Sequence, residues 1–342
     1  MSERLKNYDL LRAICCLSVI IMHIAAVYSD NKEIIGEYSD AAFSFCDFFQ
    51  LITRYAVPCF VMLSGAFILT NDRNIDFSRF YKHSFIKVGI PTILFSLMYI
   101  CYRIVTKENF SVIAIDMLNG RPIGHMWYLF MLAGLYAVTP FIIWLRKTVS
   151  EKRFIYVSVF LTLFGILVHY TCQIIWPIQF LEYVGYFCLG CCIKEKSTLI
   201  KGSSIIYILI GLFFFFITFL LNENSYHTAL YDPSFFRSNS FPTIVVGSIL
   251  FFIGFSKIRL KSLCRLVQVI SDYSLEIYIL HPLVYGGLNK LVKIKYGTLP
   301  NPYWYVPVNI IFTIITTLLL SVIYKKIYAV IMMSLSKEEQ NE

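Results

Sequence analysis

The sequence predicts an all-α, polytopic membrane protein with about ten transmembrane helices and both termini in the cytoplasm. Three observations support this fold class. Hydrophobic residues make up 58% of the 342 residues and charged residues only 15%, and the mean hydropathy is +0.67, whereas soluble domains carry about 25% charged residues. Apolar segments recur along the whole chain. Lysine and arginine gather in alternate connections between these segments. Residues 1–342 are therefore expected to form a single integral membrane domain.

Ten apolar windows account for most of the chain, and each approaches the length of about 20 residues that an α-helix needs to cross a bilayer. The sixth and eighth windows are the shortest. An acidic loop follows the first window in place of a small-residue cleavage site, so no cleavable signal peptide is expected. The windows fall at 8–28, 43–70, 84–103, 124–145, 153–171, 178–193, 203–221, 241–256, 271–289 and 304–330.

The distribution of positive charge sets the predicted orientation. With a cytoplasmic N-terminus, most of the 30 lysine and arginine residues fall in cytoplasmic connections, as the positive-inside rule requires. The same distribution explains the net charge of +9 without a nucleic-acid partner. The ten cysteines are expected to pack as small hydrophobes. No metal site is predicted, because Cys188, Cys191 and Cys192 have a spacing that suits helix packing and no second ligand cluster accompanies them.

The first window combines an arginine near its start with a histidine near its end. Arg12 and His23 are separated by about 1100° of helical rotation, so their side chains lie within about 20° of one face and roughly 16 Å apart along the axis. This length suits an extended donor with an anionic end, such as coenzyme A. Two plainer explanations stay open. Arg12 can snorkel from a helix end, and His23 can hydrogen-bond a neighbouring helix.

Six stretches, in order along the chain, resemble the acyltransferase-3 family of integral membrane acyltransferases, which includes proteins that O-acetylate surface polysaccharides. The first stretch carries the arginine, ten intervening residues and histidine that mark this family. Together the six stretches are spread over nearly the whole chain. They are YDLLRAICCLSVIIMH, RYAVPCFVMLSGAFIL, FYKHSFIKVGIP, HMWYLFML, YFCLGCCI and YSLEIYILHPLV.

The resemblance implies an acyl-CoA donor that binds from the cytoplasmic side. The predicted donor-binding residues are Arg12, Arg79, Lys82 and Lys87, which the predicted topology places near the cytoplasmic surface. The chain departs from the family here, because members often carry paired arginines before the third helix. Lysine keeps the charge but lacks the bidentate fork that arginine offers a phosphate. Which of these residues contacts the donor therefore stays open.

The resemblance also identifies His23 as the predicted catalytic residue. Its imidazole can act as a general base on an acceptor hydroxyl, or it can take the acyl group covalently and pass it on. The sequence does not separate these two mechanisms. Four further residues, at similar predicted depth on other helices, are candidates to stabilise an oxyanion or to hold the acceptor: Arg54, His125, Glu182 and His281.

Each of these four candidates has a structural alternative. His125 can anchor its helix at the membrane interface. Arg54 can pair with Asp47 or Glu182, and His281 can hydrogen-bond a neighbouring carbonyl. Glu182 can instead orient a histidine.

The predicted function is that of a membrane O-acyltransferase. It would move an acetyl group, or alternatively a succinyl group, from cytoplasmic acyl-CoA to a hydroxyl of an extracytoplasmic glycan or lipid-linked sugar. The expected location is the cell membrane, and the expected partners are membrane lipid and this acceptor. An alternative of a different class is an exporter of polysaccharide or lipid-linked sugar that performs no acyl transfer. Release of thiol from acyl-CoA would separate the two.

Overall fold

The computed structural model describes residues 5–30, 39–70, 76–172, 176–226 and 232–338. It is 83% helical, and no strand occurs in the described ranges, which confirms the predicted all-α class. A π-helical turn lies at Phe85–Gly89, and 3₁₀ turns lie at Gly124–Met126 and Ile178–Glu182. The α-helices of the described ranges are α1 Lys6–Ser29, α2 Asp40–Ile52, α3 Ala56–Ile68, α4 Phe77–Ser84, α5 Ile90–Val105, α6 Phe110–Leu118, α7 Trp127–Thr148, α8 Glu151–Thr171, α9 Val184–Lys196, α10 Ser204–Tyr226, α11 Pro233–Phe236, α12 Pro242–Lys257, α13 Arg265–Asp272, α14 Ser274–Tyr296 and α15 Pro302–Glu338.

Seven helical stretches in the described ranges are long and apolar enough to cross a membrane, so the count of about ten is not confirmed. Three predicted windows fall short for different reasons. Window 178–193 overlaps α9, which has only 13 residues, and window 241–256 overlaps α12, which has 16. Window 271–289 overlaps α14, which carries Glu276 and several lysines. The seven stretches are Lys6–Ser29, Asp40–Ile68, Phe77–Val105, Gly124–Thr148, Glu151–Thr171, Ser204–Tyr226 and Pro302–Tyr328.

Two prolines change the helices of two predicted windows, and one of the two windows is broken into separate helices. The window 43–70 was expected to be one helix, but a turn at residues 53–55 separates α2 from α3. Pro58 lies in the first turn of α3, where the missing N–H is tolerated, and it cannot donate the hydrogen bond that would continue α2. Pro91 follows the π-helical turn Phe85–Gly89 and leaves the carbonyl four residues earlier without its usual donor, but the helical stretch Phe77–Val105 continues through it.

The helices form two compact units. The first comprises Met1–Val57, Leu209–Ser238 and Ile258–Glu342. Its central element is α1, which packs against α2, α13, α14 and α15. Small and branched side chains along α1, including Leu11, Cys15 and Ala25, are completely buried. A nearly all-apolar helix of this kind is expected where neighbours cover most of its surface.

The second unit comprises Pro58–Ile208 and Asn239–Lys257, with α9 packed against α7, α8 and α12. Here α3 and α9 meet backbone to backbone. A Cβ at Gly65 would lie 1.7 Å from the Phe187 carbonyl oxygen, and one at Gly190 would lie 1.9 Å from that of Met62. Small residues allow such close approach between membrane helices.

The connection after α5 in the second unit is held by an ion-pair cluster. The Arg103 guanidinium donates to Glu108 at 2.5 and 2.7 Å and to Asp116 at 2.7 Å. Glu108 lies outside the spanning helices, and its hydrogen bonds from the Arg103 guanidinium lower its pKa. The cluster closes the loop between α5 and α6.

Candidate active site

Two histidines of the first unit form the centre of the candidate site. His23 lies six residues before the end of α1, and His281 lies in the second turn of α14. The Nδ1 atom of His23 and the Nε2 atom of His281 are 3.0 Å apart, which is hydrogen-bonding distance. His281 is completely buried, while His23 is only partly covered. One imidazole of the pair is therefore accessible and the other supports it from behind.

The hydrogen bonds of the pair determine which nitrogens carry protons. Nδ1 of His281 lies 2.7 Å from the carbonyl oxygen of Tyr278. A carbonyl can only accept, so Nδ1 of His281 holds the proton, and its Nε2 must accept from Nδ1–H of His23 when both rings are neutral. This assignment leaves Nε2 of His23 with the lone pair of a base or nucleophile.

Aromatic rings surround the buried histidine. The rings of Tyr278 and Tyr285, one turn before and one turn after His281 on α14, have centroids 5.8 and 6.0 Å from the imidazole. Rings at this separation limit the orientations open to His281. The imidazole that accepts from His23 is thus held both by its bond to the Tyr278 carbonyl and by its neighbours.

Arg54 lies in the turn between α2 and α3 and is close enough to His23 for its charge to act on the imidazole. The turn is held to α1 by a 2.8 Å hydrogen bond between the hydroxyls of Ser18 and Tyr55. Asp47 was one of the partners expected for Arg54. The direct hydrogen bonds to the Asp47 carboxylate come instead from Asn222 and Arg237. A fixed positive charge near the histidine is suited to stabilising an oxyanion.

Arg12 lies two turns into α1 and is not an isolated snorkelling side chain. Its Nη1 atom donates to Asp9 at 3.0 Å and to the Ser271 hydroxyl at 3.3 Å. Ser271 also donates to Asp9 at 3.1 Å, which closes a triangle between α1 and α13. The Arg12 side chain remains about 29% exposed. Ser271 was not anticipated, because it lies 259 positions from Arg12 in the sequence. Asp9 precedes Arg12 by three residues, and this helical spacing could have predicted their ion pair.

A buried arginine that sequence reasoning missed lies at the C-terminal end of α1. Arg237 donates to the carboxylate of Asp47 at 2.5 and 3.1 Å and also pairs with Asp30. Asn222 donates to the other oxygen of Asp47 at 2.7 Å, and Gln50 donates to Asp30 at 3.1 Å. The only sequence signal was an arginine in a predicted outer connection, where basic residues are scarce. We refer to Asp30, Asp47, Gln50, Asn222 and Arg237 as the Arg237 cluster.

The other two candidates belong to the second unit. His125 is buried in the 3₁₀ turn before α7, with its ring edge-on to that of Tyr99 at 5.5 Å. Glu182 ends the 3₁₀ turn before α9, and its Oε2 atom lies 3.1 Å from Nδ1 of His169. Glu182 thus contacts a histidine, although His169 itself carried no motif in the sequence.

The remaining predicted donor-binding residues lie together on a short helix and the π-helical turn that follows it. Arg79 and Lys82 are on α4, one turn apart, and Lys87 is on Phe85–Gly89. All three side chains are exposed. They form a basic surface segment that is open to an anionic group, as their predicted role requires.

Histidine, cysteine and acidic side chains are the residues that could bind a metal ion. No group of three histidine, cysteine or acidic side chains with metal-binding geometry occurs among the residues that the structure describes. Cys188, Cys191 and Cys192 are buried within α9. The hydrogen bond between His23 and His281 occupies one ring nitrogen of each residue, and a proton can pass along this bond.

Comparison with known proteins agrees with this geometry. A family model described as an acyltransferase domain, that of the acyltransferase-3 family, matches residues 5–326 and so includes residues of both units. Searches of curated proteins and of solved structures found no match to the chain. The family match supports an acyltransferase over an exporter that performs no acyl transfer. The chain belongs to the acyltransferase-3 family, and the protein is a membrane acyltransferase.

Proposed function

We propose that the protein is an O-acyltransferase of the cell membrane that moves an acetyl group from cytoplasmic acetyl-CoA to a hydroxyl of an extracytoplasmic glycan or lipid-linked sugar. This reaction would be one of polysaccharide modification by O-acetylation. The observation that carries the proposal is the chain of hydrogen bonds from the Tyr278 carbonyl through His281 to His23. It supports a basic Nε2 on His23 at a partly covered position.

The proposed transfer starts with the acceptor hydroxyl. Nε2 of His23 takes the hydroxyl proton as the oxygen attacks the thioester carbonyl, forming a tetrahedral oxyanion near Arg54. The C–S bond then breaks, the ester carbonyl re-forms, and the proton on His23 passes to the sulfur. The products are the acylated sugar and free CoA thiol. In the covalent variant, Nε2 attacks the thioester carbonyl, the C–S bond breaks and CoA leaves as its thiolate. The acceptor hydroxyl then attacks the acyl group, the C–Nε2 bond breaks, and the hydroxyl proton passes to the thiolate.

His281 acts as a positioning residue in both variants. While His23 is protonated, its Nδ1–H bond to Nε2 of His281 spreads the positive charge over a buried, hydrogen-bonded partner. The fixed bond to the Tyr278 carbonyl keeps His281 in the accepting tautomer. Losing this partner should therefore lower turnover more than donor binding.

The donor is proposed to enter at the basic cytoplasmic side. Arg12 lies on the same helix as His23, about 16 Å away along the axis. Arg79, Lys82 and Lys87 offer exposed charges for the phosphates of CoA.

The test is release of CoA thiol from acetyl-CoA by purified protein in lipid nanodiscs. His23→Ala should abolish thiol release, and His281→Gln should lower kcat at least tenfold, about 1.4 kcal/mol of transition-state stabilisation, with little change in the KM for acetyl-CoA. Arg12→Ala should raise that KM. His83→Ala removes an exposed histidine of α4 and serves as the matched control. Full activity in His23→Ala would overturn the proposal.

A second readout separates the two mechanisms. Wild-type protein would be mixed with radiolabelled acetyl-CoA without acceptor and quenched at neutral pH. Label bound to protein in wild type and absent in His23→Ala indicates an acyl-histidine. Absence of bound label in a protein that transfers acetyl to an acceptor indicates the general-base route.

A further inference from the structure

An open groove of about 470 Å³ lies between α1 and the second half of α14 in the first unit. Val27 lines it from α1, and Gly286, Lys290 and Lys293 line it from α14. The buried Leu299, in the connection to α15, contributes a further wall. The connection is held to α1 by a 2.7 Å hydrogen bond from Tyr28 to the carbonyl of Pro300.

The groove begins one turn beyond the histidine pair on the same two helices. Val27 follows His23 by four residues, about 6 Å along the axis, and Gly286 follows His281 by five, about 7.5 Å. Because His23 and His281 are hydrogen-bonded to each other, both axial distances are measured from the same place in the unit. The predicted topology runs both helices outward, which places the groove between His23 and the outer surface.

Gly286 lines the groove, and no packing contact requires a glycine at this position. A Cβ placed on Gly286 would meet no atom within 4 Å, and the same is true of Gly287. Glycine in a helix interior is less favourable than alanine. The neighbouring structure therefore does not demand glycine at either position, and only Gly286 lines the groove.

The polar groups that line the groove are all suited to an anion. Lys290 and Lys293 are exposed, and no acidic residue is among the described residues that line it. The oxygen of Asn289 accepts from Tyr305 at 2.8 Å and from Asn309 at 3.0 Å, so its NH₂ end is the end left to donate. A cleft of the second unit differs, because its arginine and lysines stand beside two glutamates.

We propose that this groove is the acceptor site and that the acceptor is an anionic glycan, bearing a carboxylate or a phosphate that Lys290 and Lys293 bind. The inference rests on the proposed O-acyl transfer and specifies its acceptor. The anionic group occupies the lysine end, and a hydroxyl of the same glycan reaches His23 at the other end. Lysine serves here as a point charge that tolerates either anion.

The first test compares charge reversal inside and outside the groove. The probes are a tetrasaccharide of alternating glucuronic acid and N-acetylglucosamine, its neutral methyl ester, and a glycerol-phosphate oligomer. Acetyl transfer to each is measured with wild type and with the Lys290→Glu/Lys293→Glu protein. Lys295→Glu is the matched control, because Lys295 is exposed on the same helix but does not line the groove.

We expect wild type to prefer an anionic probe over the neutral ester, and the double reversal to raise the KM for that probe about tenfold or more. Lys295→Glu should leave it within about twofold. The two anionic probes distinguish a carboxylate from a phosphate. Equal use of the neutral ester, or no transfer to either anionic probe while CoA release continues, would overturn the acceptor assignment.

The same measurements separate this inference from the proposed function and from lipid binding. Absence of thiol release in wild type would refute the proposed function itself. If the lysines bind lipid phosphates instead, the double reversal would change transfer to all three probes equally and only in nanodiscs that contain phosphatidylglycerol. That result would also overturn the acceptor assignment.

A second test fills the groove without changing charge. Gly286→Leu should lower transfer to the anionic probe at least tenfold and leave the KM for acetyl-CoA unchanged. Gly287→Leu, at the adjacent open position outside the groove, should transfer normally. Equal activity of the two leucine proteins would show that the acceptor does not use the groove.

Discussion

Replacing Arg237 by methionine tests the physical account of the first unit. Arg237 is about 5% exposed and Asp47 is completely buried, so the substitution leaves an acidic group buried without its cation. Removal of one partner of a buried pair costs about 3–5 kcal/mol. Arg237→Lys should recover only part of this loss, since a single ammonium cannot bridge Asp47, Asp30 and the backbone of Ser29 as the guanidinium does.

The assay is reversible unfolding in mixed micelles, followed by circular dichroism as the fraction of dodecyl sulfate rises. Lys196→Met is the control, because its ion pair with Glu151 is largely exposed, with side-chain exposures of 32% and 75%. Such an exposed pair contributes little to stability, because water and salt screen it. The double variant Arg237→Met/Asp47→Leu should be more stable than Arg237→Met, since it removes the stranded acid. A loss below about 1 kcal/mol in Arg237→Met would refute the reasoning.

Three further outcomes are expected. Gly65→Ala should destabilise by about 3 kcal/mol or prevent folding, because its Cβ would overlap the Phe187 carbonyl; unfolding in mixed micelles measures this, and an unchanged midpoint would contradict the packing. Tyr28→Phe should cost about 1 kcal/mol through its hydrogen bond to Pro300, and a neutral result would show that the bond is replaced by water. Because the arginine beside it lowers the pKa of Glu108, this pair stabilises above the unfolded carboxyl pKa of about 4.3 and is lost as pH falls through the lowered folded value. The melting temperature of Glu108→Gln should therefore fall less steeply with acid than that of wild type, and parallel profiles would contradict the assignment.

Much of the fold follows from local properties of the chain. The apolar windows and low charge predict the all-α membrane class, because backbone groups in lipid must be satisfied within each helix. The spacing of Arg12 and His23 places both on one face of one helix, since helical rotation alone determines that relation. The first and third windows correspond to single spanning stretches in the structure, Lys6–Ser29 and Phe77–Val105. The count of spanning helices was less predictable, because α9 and α12 are short and α14 carries several charges, so these three do not meet the length and hydropathy of a spanning helix.

The identity of the groups that touch is a different matter, because it depends on contacts between residues far apart in sequence. His281 was a candidate among four, and its bond to His23, across 258 positions, follows from the packing of α14 on α1. Arg237 carried no motif, yet three helices bring acids and amides around it. Helical periodicity specifies which face a side chain occupies, whereas long-range packing selects the partner that face meets. The protonation pattern of His23 therefore required the folded chain.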